Sequence, residues 1–205
     1  MENFNIVCSN PLICTYKNFL SNKLSNEINN YSYDFTKSKT RNSENADLRK
    51  SHVSIINNLD HENSLIEHLK EKLFVDSNSI ELPLQIQKYT KDNFYKEHFD
   101  VNLSKEILKN TNLKLQRRLS IIIYLNDNFS GGLTSFSRLD IDIKPKKNMA
   151  LVFENCIRET NFPNPLSIHQ STRIKRGTKK IINLWSNQSN YADLVVQNKK
   201  NFNKY

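Results

Sequence analysis

Within the stretch YTKDNFYKEHFD, residues 89–100, His98 and Asp100 are separated by a single residue. Side chains two apart on an extended backbone point to the same side, so this imidazole and this carboxylate can address one metal ion. Two donors do not complete a site. Two imidazoles with one carboxylate grip a ferrous ion on one face and leave its other positions open, and that set needs a second histidine from a distant strand that folds back. Three of the five histidines, His52, His61 and His68, precede the pair in a polar, helix-like region, which leaves His169, near the end of a run of short apolar segments. Taken alone, a His-x-Asp is also what a chance surface pair looks like.

Ten residues after His169 comes Lys179, in Gly177-Thr178-Lys179, and six further on the only tryptophan, Trp185. Lys179, Ile181, Asn183 and Trp185 fall on one face of a strand with period two, so a cation and an aromatic ring can line one pocket. The plain alternatives are an exposed Lys179-Lys180 pair and a Trp185 that belongs to the core.

The elements that must position these groups follow from the apolar pattern. A strand or arm over 1–10 and a strand over 11–16 lead to a helix over 21–30, with Leu20, Leu24 and Ile28 at helical spacing. Residues 31–51, rich in Ser, Thr, Lys and Asn, read as a long loop. A second helix is expected to start with Asp60 as its N-cap and to end near Phe74, with Leu65, Leu69 and Leu73 on one stripe. Short strands then alternate with polar turns: 84–89, 94–99, 119–125, 133–136, 140–143, 149–153, 167–169 and 180–185. Eight such strands indicate a jelly-roll-like sandwich or barrel, with the helices buttressing one face of a sheet. Residues 101–115 read as a polar crossing loop and 191–205 as a tail, partly disordered. No repeat or linker divides the chain.

At this point the sequence resembles the Fe(II)- and 2-oxoglutarate-dependent dioxygenases, and within them the prolyl 4-hydroxylase type. The matches are short but lie in the family's order from about residue 12 to 185. They comprise Asn18-Phe19-Leu20-Ser21, Leu84-Gln85-Ile86-Gln87-Lys88-Tyr89, Tyr124-Leu125-Asn126-Asp127 and Gly131-Gly132-Leu133-Thr134-Ser135-Phe136. They continue with Ile143-Lys144-Pro145, Ala150-Leu151-Val152-Phe153 and the nine-residue gap between His169 and Lys179. Each is weak alone; together and in order they are specific. Arg49-Lys50-Ser51 partially matches the family's Arg-Thr-Ser stretch.

The resemblance implies a mainly β fold with flanking helices and a double-stranded β-helix core of the jelly-roll or cupin kind. One dioxygenase domain would cover 1–205: helical support over 1–80, the core over 81–187 and a tail over 188–205. It implies His98, Asp100 and His169 as iron ligands, Lys179 as the cation for the far carboxylate of 2-oxoglutarate, and Tyr89, Thr134 and Trp185 as further cosubstrate-pocket residues. The cofactors would be Fe(II), 2-oxoglutarate and dioxygen, with ascorbate as reductant, and the reaction hydroxylation of a C–H bond with release of succinate and carbon dioxide. Leu133 stands where the family usually has Glu, Asn148 where it has Gly, and Gln170-Ser171 where small residues follow the distal histidine. These departures touch the mouth of the site and none removes a ligand.

Composition bounds the rest. The 205 residues suit one domain, and 37% hydrophobic with 10% aromatic content is not that of a disordered chain. Asparagine occurs 30 times and glycine three times, at Gly131, Gly132 and Gly177, all inside the matched segments. Cys8, Cys14 and Cys156 form no CxxC pair and leave one over, which points to a reducing compartment. With no secretory signal and no apolar run long enough to span a bilayer, a cytoplasmic protein without membrane attachment is expected. From residue 144 onward there are 12 basic against 3 acidic residues, while residues 1–143 hold 18 of each, so the excess of +9 lies in the C-terminal third. It is either a solvated surface or a field that draws an acidic peptide or a nucleic acid. A peptide or protein substrate carrying proline or another target residue is the leading expectation. The alternatives are oxidative demethylation of nucleic acid on the same fold, against which stands a lysine where repair demethylases use arginine, and a binding module without catalysis. The oligomeric state is not encoded legibly.

Overall fold

The structure, a computed structural model, describes residues 3–38 and 48–203. The chain opens with the antiparallel pair β1 (Phe4–Ser9) and β2 (Leu12–Tyr16), then helix α1 (Asn22–Asn30), whose N-cap Ser21 accepts from the Leu24 amide at 3.2 Å. Strands β3 (Thr36–Lys37), β4 (Arg49–Lys50) and β5 (His52–Ile55) precede helix α2 (Leu59–Leu73). There follow β6 (Gln85–Tyr89), β7 (Phe94–His98), the single turn α3 (Lys105–Leu108), β8 (Leu119–Tyr124), β9 (Ser130–Gly131), β10 (Thr134–Phe136) and β11 (Ile141–Ile143). The chain closes with β12 (Met149–Glu154), β13 (His169–Ser171), β14 (Ile174–Arg176), β15 (Lys179–Ser186) and α4 (Tyr191–Asn198).

An eight-stranded sheet in the order β1-β2-β12-β8-β15-β6-β5-β3 faces a five-stranded sheet in the order β11-β10-β13-β7-β4, and β9 pairs with β14. This is a mainly β fold with a double-stranded β-helix core. The period of two along the central strands divides the core. In β8, Ile121 and Ile123 join a cluster with Leu24 and Ile28 of α1 and Leu65, Leu69 and Leu73 of α2, whereas Ile122 and Tyr124 join Tyr89, Phe136, Leu151 and Phe153 between the sheets. Both faces of β8 are therefore buried, which explains a strand that reads LSIIIY without polar alternation.

Several local expectations need correction. The cap of α2 is Asn58, which accepts from the His61 amide at 3.0 Å, so Asp60 lies within the first turn, where a carboxylate still favours the positive end of the helix. The segment read as a loop over 31–51 carries β3 and β4; its residues 39–47 lie outside the described residues. His52 is in a strand, β5, and not in a helical region. The segment after β15 is no loose tail: α4 buries Tyr191 and Val195, and Phe202 stacks on Phe4 with ring centroids 4.3 Å apart. Tyr191 and Val195 are four apart, which is helical spacing, but eight residues are too few for periodicity to stand out. The turn over 165–167 is a 3-10 helix, and β13 begins at His169 rather than ending there.

Candidate active site

Antiparallel pairing of β13 with β7 sets His169 directly opposite His98, with ring centroids 4.3 Å apart. Asp100 follows two residues after His98. One donor atom from each of His98, Asp100 and His169 lies within 4.8 Å of the others. His98 Nε2 is 3.3 Å from Asp100 Oδ1, and His169 Nε2 is 3.8 Å from Asp100 Oδ2.

Backbone carbonyls fix both imidazoles. His98 Nδ1 is 2.8 Å from the Lys96 carbonyl and His169 Nδ1 is 3.1 Å from the Ser167 carbonyl. A carbonyl oxygen only accepts, so each Nδ1 carries a proton, and in the neutral ring Nε2 then keeps its lone pair on the side of Asp100. Burial pushes the His169 imidazole down to about 4, and His98 adds to the effect, so its ring is neutral near pH 7. Burial also raises the Asp100 carboxyl, yet in the acid range where it would titrate the protonated His169 and His98 rings, with hydrogen bonds from His98 and the Ser120 hydroxyl, outweigh burial and hold it below the ordinary carboxylate range. With both rings neutral, three acceptors converge, an arrangement that a cation would satisfy at once. Two nitrogens and one carboxylate fit a non-haem ferrous ion. Packing keeps the donors in place: Tyr95 stacks on His98 at 3.5 Å and 14°, and Phe153 meets His169 edge-on at 4.7 Å.

The same cavity is lined by Lys179, Tyr89 and Thr134 along with the three donors. Lys179 is 1% exposed. Its Nζ donates to the Gly132 carbonyl at 2.8 Å and to Ser171 Oγ at 3.1 Å, between the rings of Tyr89 and Tyr124, each 5.5 Å away. Among the described residues it has no carboxylate partner, and burial lowers its pKa to about 7. A buried ammonium without a counter-ion is costly, and an anionic ligand would relieve it. Gly132 helps keep this channel open, since at φ +66° a Cβ would come 2.5 Å from Ile174 Cδ1 and 3.3 Å from Lys179 Cδ.

Tyr89 donates to Gln87 Oε1 at 3.0 Å, and Arg49 and Ser51 lie close enough to temper the rise that burial gives its hydroxyl, which ties the Arg49-Lys50-Ser51 stretch to the site. Thr134 Oγ1 lies 2.7 Å from the Tyr124 hydroxyl. Trp185 shares the strand face of Lys179 but is not among the residues lining this cavity; its ring lies under the Arg117 guanidinium at 3.7 Å. Asn148, where the resemblance leads one to expect glycine, has φ +65°, a conformation that Asn tolerates well. Its buried amide accepts from the Leu20 amide at 2.7 Å and donates to the Leu20 carbonyl at 2.6 Å.

Ser120 and Tyr95 also stand at the site and escaped the sequence reading, while Ser171, read only as a departure at its mouth, accepts from Lys179. Ser120 had a usable signal: it alternates with Ile122 and Tyr124 on β8, a polar residue on the face that elsewhere is apolar. A separate cavity beside Arg118, Glu154 and Arg158 holds no comparable donor set, for Arg158 is paired with Asp193 at 2.6 Å and Arg118 binds the Thr160 and Ile157 carbonyls.

The model of the 2OG-Fe(II) oxygenase superfamily matches residues 84–187, which hold β6 through β15 and all three donors. The chain belongs to this superfamily. A protein of Acanthamoeba polyphaga mimivirus named "Putative prolyl 4-hydroxylase" is 35% identical over 111 residues, covering 53% of this chain and 46% of that protein. The chain thus aligns with about half the length of that relative. The viral collagen prolyl hydroxylase of Paramecium bursaria Chlorella virus-1, solved with 2-oxoglutarate, superposes with a TM-score of 0.63 at 20% identity, over 87% of this chain and 97% of that one. A Trichoplax adhaerens prolyl hydroxylase bound to a peptide of hypoxia inducible factor gives 0.58 at 19% identity, over 89% and 86%. At such identities the two likenesses concern the fold alone. Fe(II) and 2-oxoglutarate are the cofactors that membership implies, and the donor set and the buried lysine suit them. No helix among the described residues is long and apolar enough to cross a membrane.

Proposed function

We propose that this oxygenase uses Fe(II) and 2-oxoglutarate to hydroxylate proline, or another residue, in a peptide or protein. The observation that carries the reading is the meeting, in one cavity, of three convergent acceptors and a buried ammonium that lacks a counter-ion. His98, Asp100 and His169 would hold the metal, and Lys179 would pair with the far carboxylate of 2-oxoglutarate through a charge-assisted hydrogen bond. Ser171 and the Tyr124-Thr134 pair orient the ammonium end of the pocket, and Tyr89 walls it. The bound iron and cosubstrate supply dioxygen activation, coupled to conversion of 2-oxoglutarate to succinate and carbon dioxide. The chain's own contribution is to fix the imidazole tautomers, keep Asp100 anionic and exclude water behind Tyr95, Phe136 and Phe153.

The mimivirus relative's name and the peptide bound in the Trichoplax structure support a prolyl substrate in a peptide. Ascorbate would serve as reductant. Residues 1–80 would act as support for a core over 81–187 within one domain, with 188–205 closing it. Cytoplasmic location is supported by three free cysteines, Cys8, Cys14 and Cys156. The test is succinate release from protein loaded with Fe(II), 2-oxoglutarate and ascorbate in the presence of proline-containing peptides, with mass spectrometry of the peptide. A gain of one oxygen on proline, absent with His98→Ala, is expected. Succinate release equal in the two proteins would overturn the reading, and formaldehyde from methylated oligonucleotides without peptide oxidation would replace it with demethylation.

A further inference from the structure

Asp100, two residues past the end of β7, and His169, at the start of β13, are both reached by one buried side chain with its own backbone. Asn155, 1% exposed, donates from Nδ2 to Ser120 Oγ at 2.8 Å, and Ser120 Oγ donates to Asp100 Oδ2 at 2.6 Å. The direction of this relay is fixed by chemistry. An amide nitrogen only donates and a carboxylate only accepts, so the one hydroxyl proton of Ser120 must point at Asp100. Meanwhile the Asn155 carbonyl accepts from the Asn164 amide at 2.8 Å and lies 3.1 Å from Ser167 Oγ, whose one proton it shares with the Asn164 carbonyl at 2.8 Å. Ser167 in turn offers the carbonyl that orients His169 at Nδ1. The Asn155 amide itself donates to the Arg118 carbonyl at 2.8 Å, which anchors the node to the residue two before Ser120.

We infer that Asn155 is a positioning residue for the metal site, acting through Ser120 to occupy one oxygen of Asp100 and leave the other for the ion, while its backbone sets the His169 arm. The inference rests on the reading of His98, Asp100 and His169 as metal ligands. Neither Ser120 nor Asn155 is among the residues lining the cavity. The relay's effect is on how many carboxylate oxygens the ion can take and on how far the acceptors are pre-set before it arrives. Partners of this kind are worth about 10- to 100-fold in metal affinity. The Ser120 hydroxyl is the only polar step between Asn155 and Asp100, so the two residues must behave as one unit.

The experiment is titration of the full chain with Co(II) without cosubstrate, reading affinity and the visible ligand-field spectrum, for wild type, Asn155→Ala, Ser120→Ala, the double variant and Ser120→Thr. Expected are a Kd raised about 10- to 100-fold in each alanine variant, no further rise in the double variant, a changed spectrum, and recovery in Ser120→Thr, which keeps a hydroxyl. Circular dichroism of the metal-free proteins reports folding, and should Asn155→Ala fail to fold, Ser120→Ala against Ser120→Thr carries the test. Alanine variants that bind Co(II) with wild-type affinity and spectrum would overturn the inference while leaving the metal site standing. Losses that add in the double variant would also overturn it. If wild type itself binds no Co(II), the ligand assignment fails first, and that outcome separates the two claims.

Discussion

The two faces of the central strands differ in what they bury although their residues alternate along the same backbone. Toward the helices, β6, β8, β12 and β15 present Ile86, Ile121, Ile123, Val152, Ile182 and Leu184, a mainly hydrocarbon surface. Toward the smaller sheet β6, β8 and β15 present the buried, polar Gln87, Tyr89, Ser120 and Lys179 among apolar neighbours such as Ile122 and Ile181. The first face supplies stability through apolar burial. The second gives up part of that stability to hold charges and hydrogen-bonding groups that only a ligand completes. Substitutions on the two faces should therefore separate stability from binding.

The largest effect is expected for Lys179→Met on the polar face. Binding of 2-oxoglutarate to the metal-loaded protein should weaken about 10- to 100-fold, the worth of hydrogen bonds to a charged group, while the metal-free protein becomes more stable. Calorimetry and thermal unfolding read the two. On the apolar face, Ile123→Ala should destabilise the protein by about 2–5 kcal/mol and leave 2-oxoglutarate affinity in the folded fraction unchanged. If Lys179→Met destabilised the metal-free protein, or Ile123→Ala weakened binding at full folding, the division between faces would fail.

A pH series sharpens the same contrast. Burial holds Lys179 at about 7 in the folded protein, against an ordinary value of 10.5. Between these values the unfolded chain binds the extra proton, so this group makes stability rise with pH across the window, and its penalty is fully present below 7. The stability gap between Lys179→Met and wild type, measured by denaturant unfolding of the metal-free proteins, should narrow steadily from pH 7 toward 10. A constant gap would contradict a buried, unpaired lysine. The smallest effect is expected at a helix cap on the far side: Asn58→Ala should cost about 1 kcal/mol, detectable as a lower denaturant midpoint, with no change in metal or 2-oxoglutarate binding.

How legible each part was follows from the range of the interactions that form it. His98, Asp100, His169 and Lys179 stood out because their chemistry is unusual for their surroundings and their spacing is short within each strand. Tyr89 and Thr134 came only with the resemblance. Asn155 was hidden and Ser120 showed only as a polar break in an apolar strand face, since their roles depend on contacts 20 and 35 residues apart in sequence. Trp185 shared the right strand face, yet a period of two says which way a side chain points and not how far along the strand a cavity extends. The cap of α2 went to Asp60 rather than Asn58 because both residue types cap helices and only backbone geometry separates them. Helix α4 was read as tail because its anchor, Phe202 against Phe4, joins the two ends of the chain.

The most direct measurement is a crystal structure of the protein grown without oxygen in the presence of Mn(II), as a stand-in for Fe(II), and 2-oxoglutarate. The account predicts one metal bound by His98 Nε2, one oxygen of Asp100 and His169 Nε2, with the far carboxylate of 2-oxoglutarate on Lys179 Nζ. Metal held by other side chains, or a cosubstrate carboxylate paired with a different cation while Lys179 keeps only Gly132 and Ser171, would contradict it.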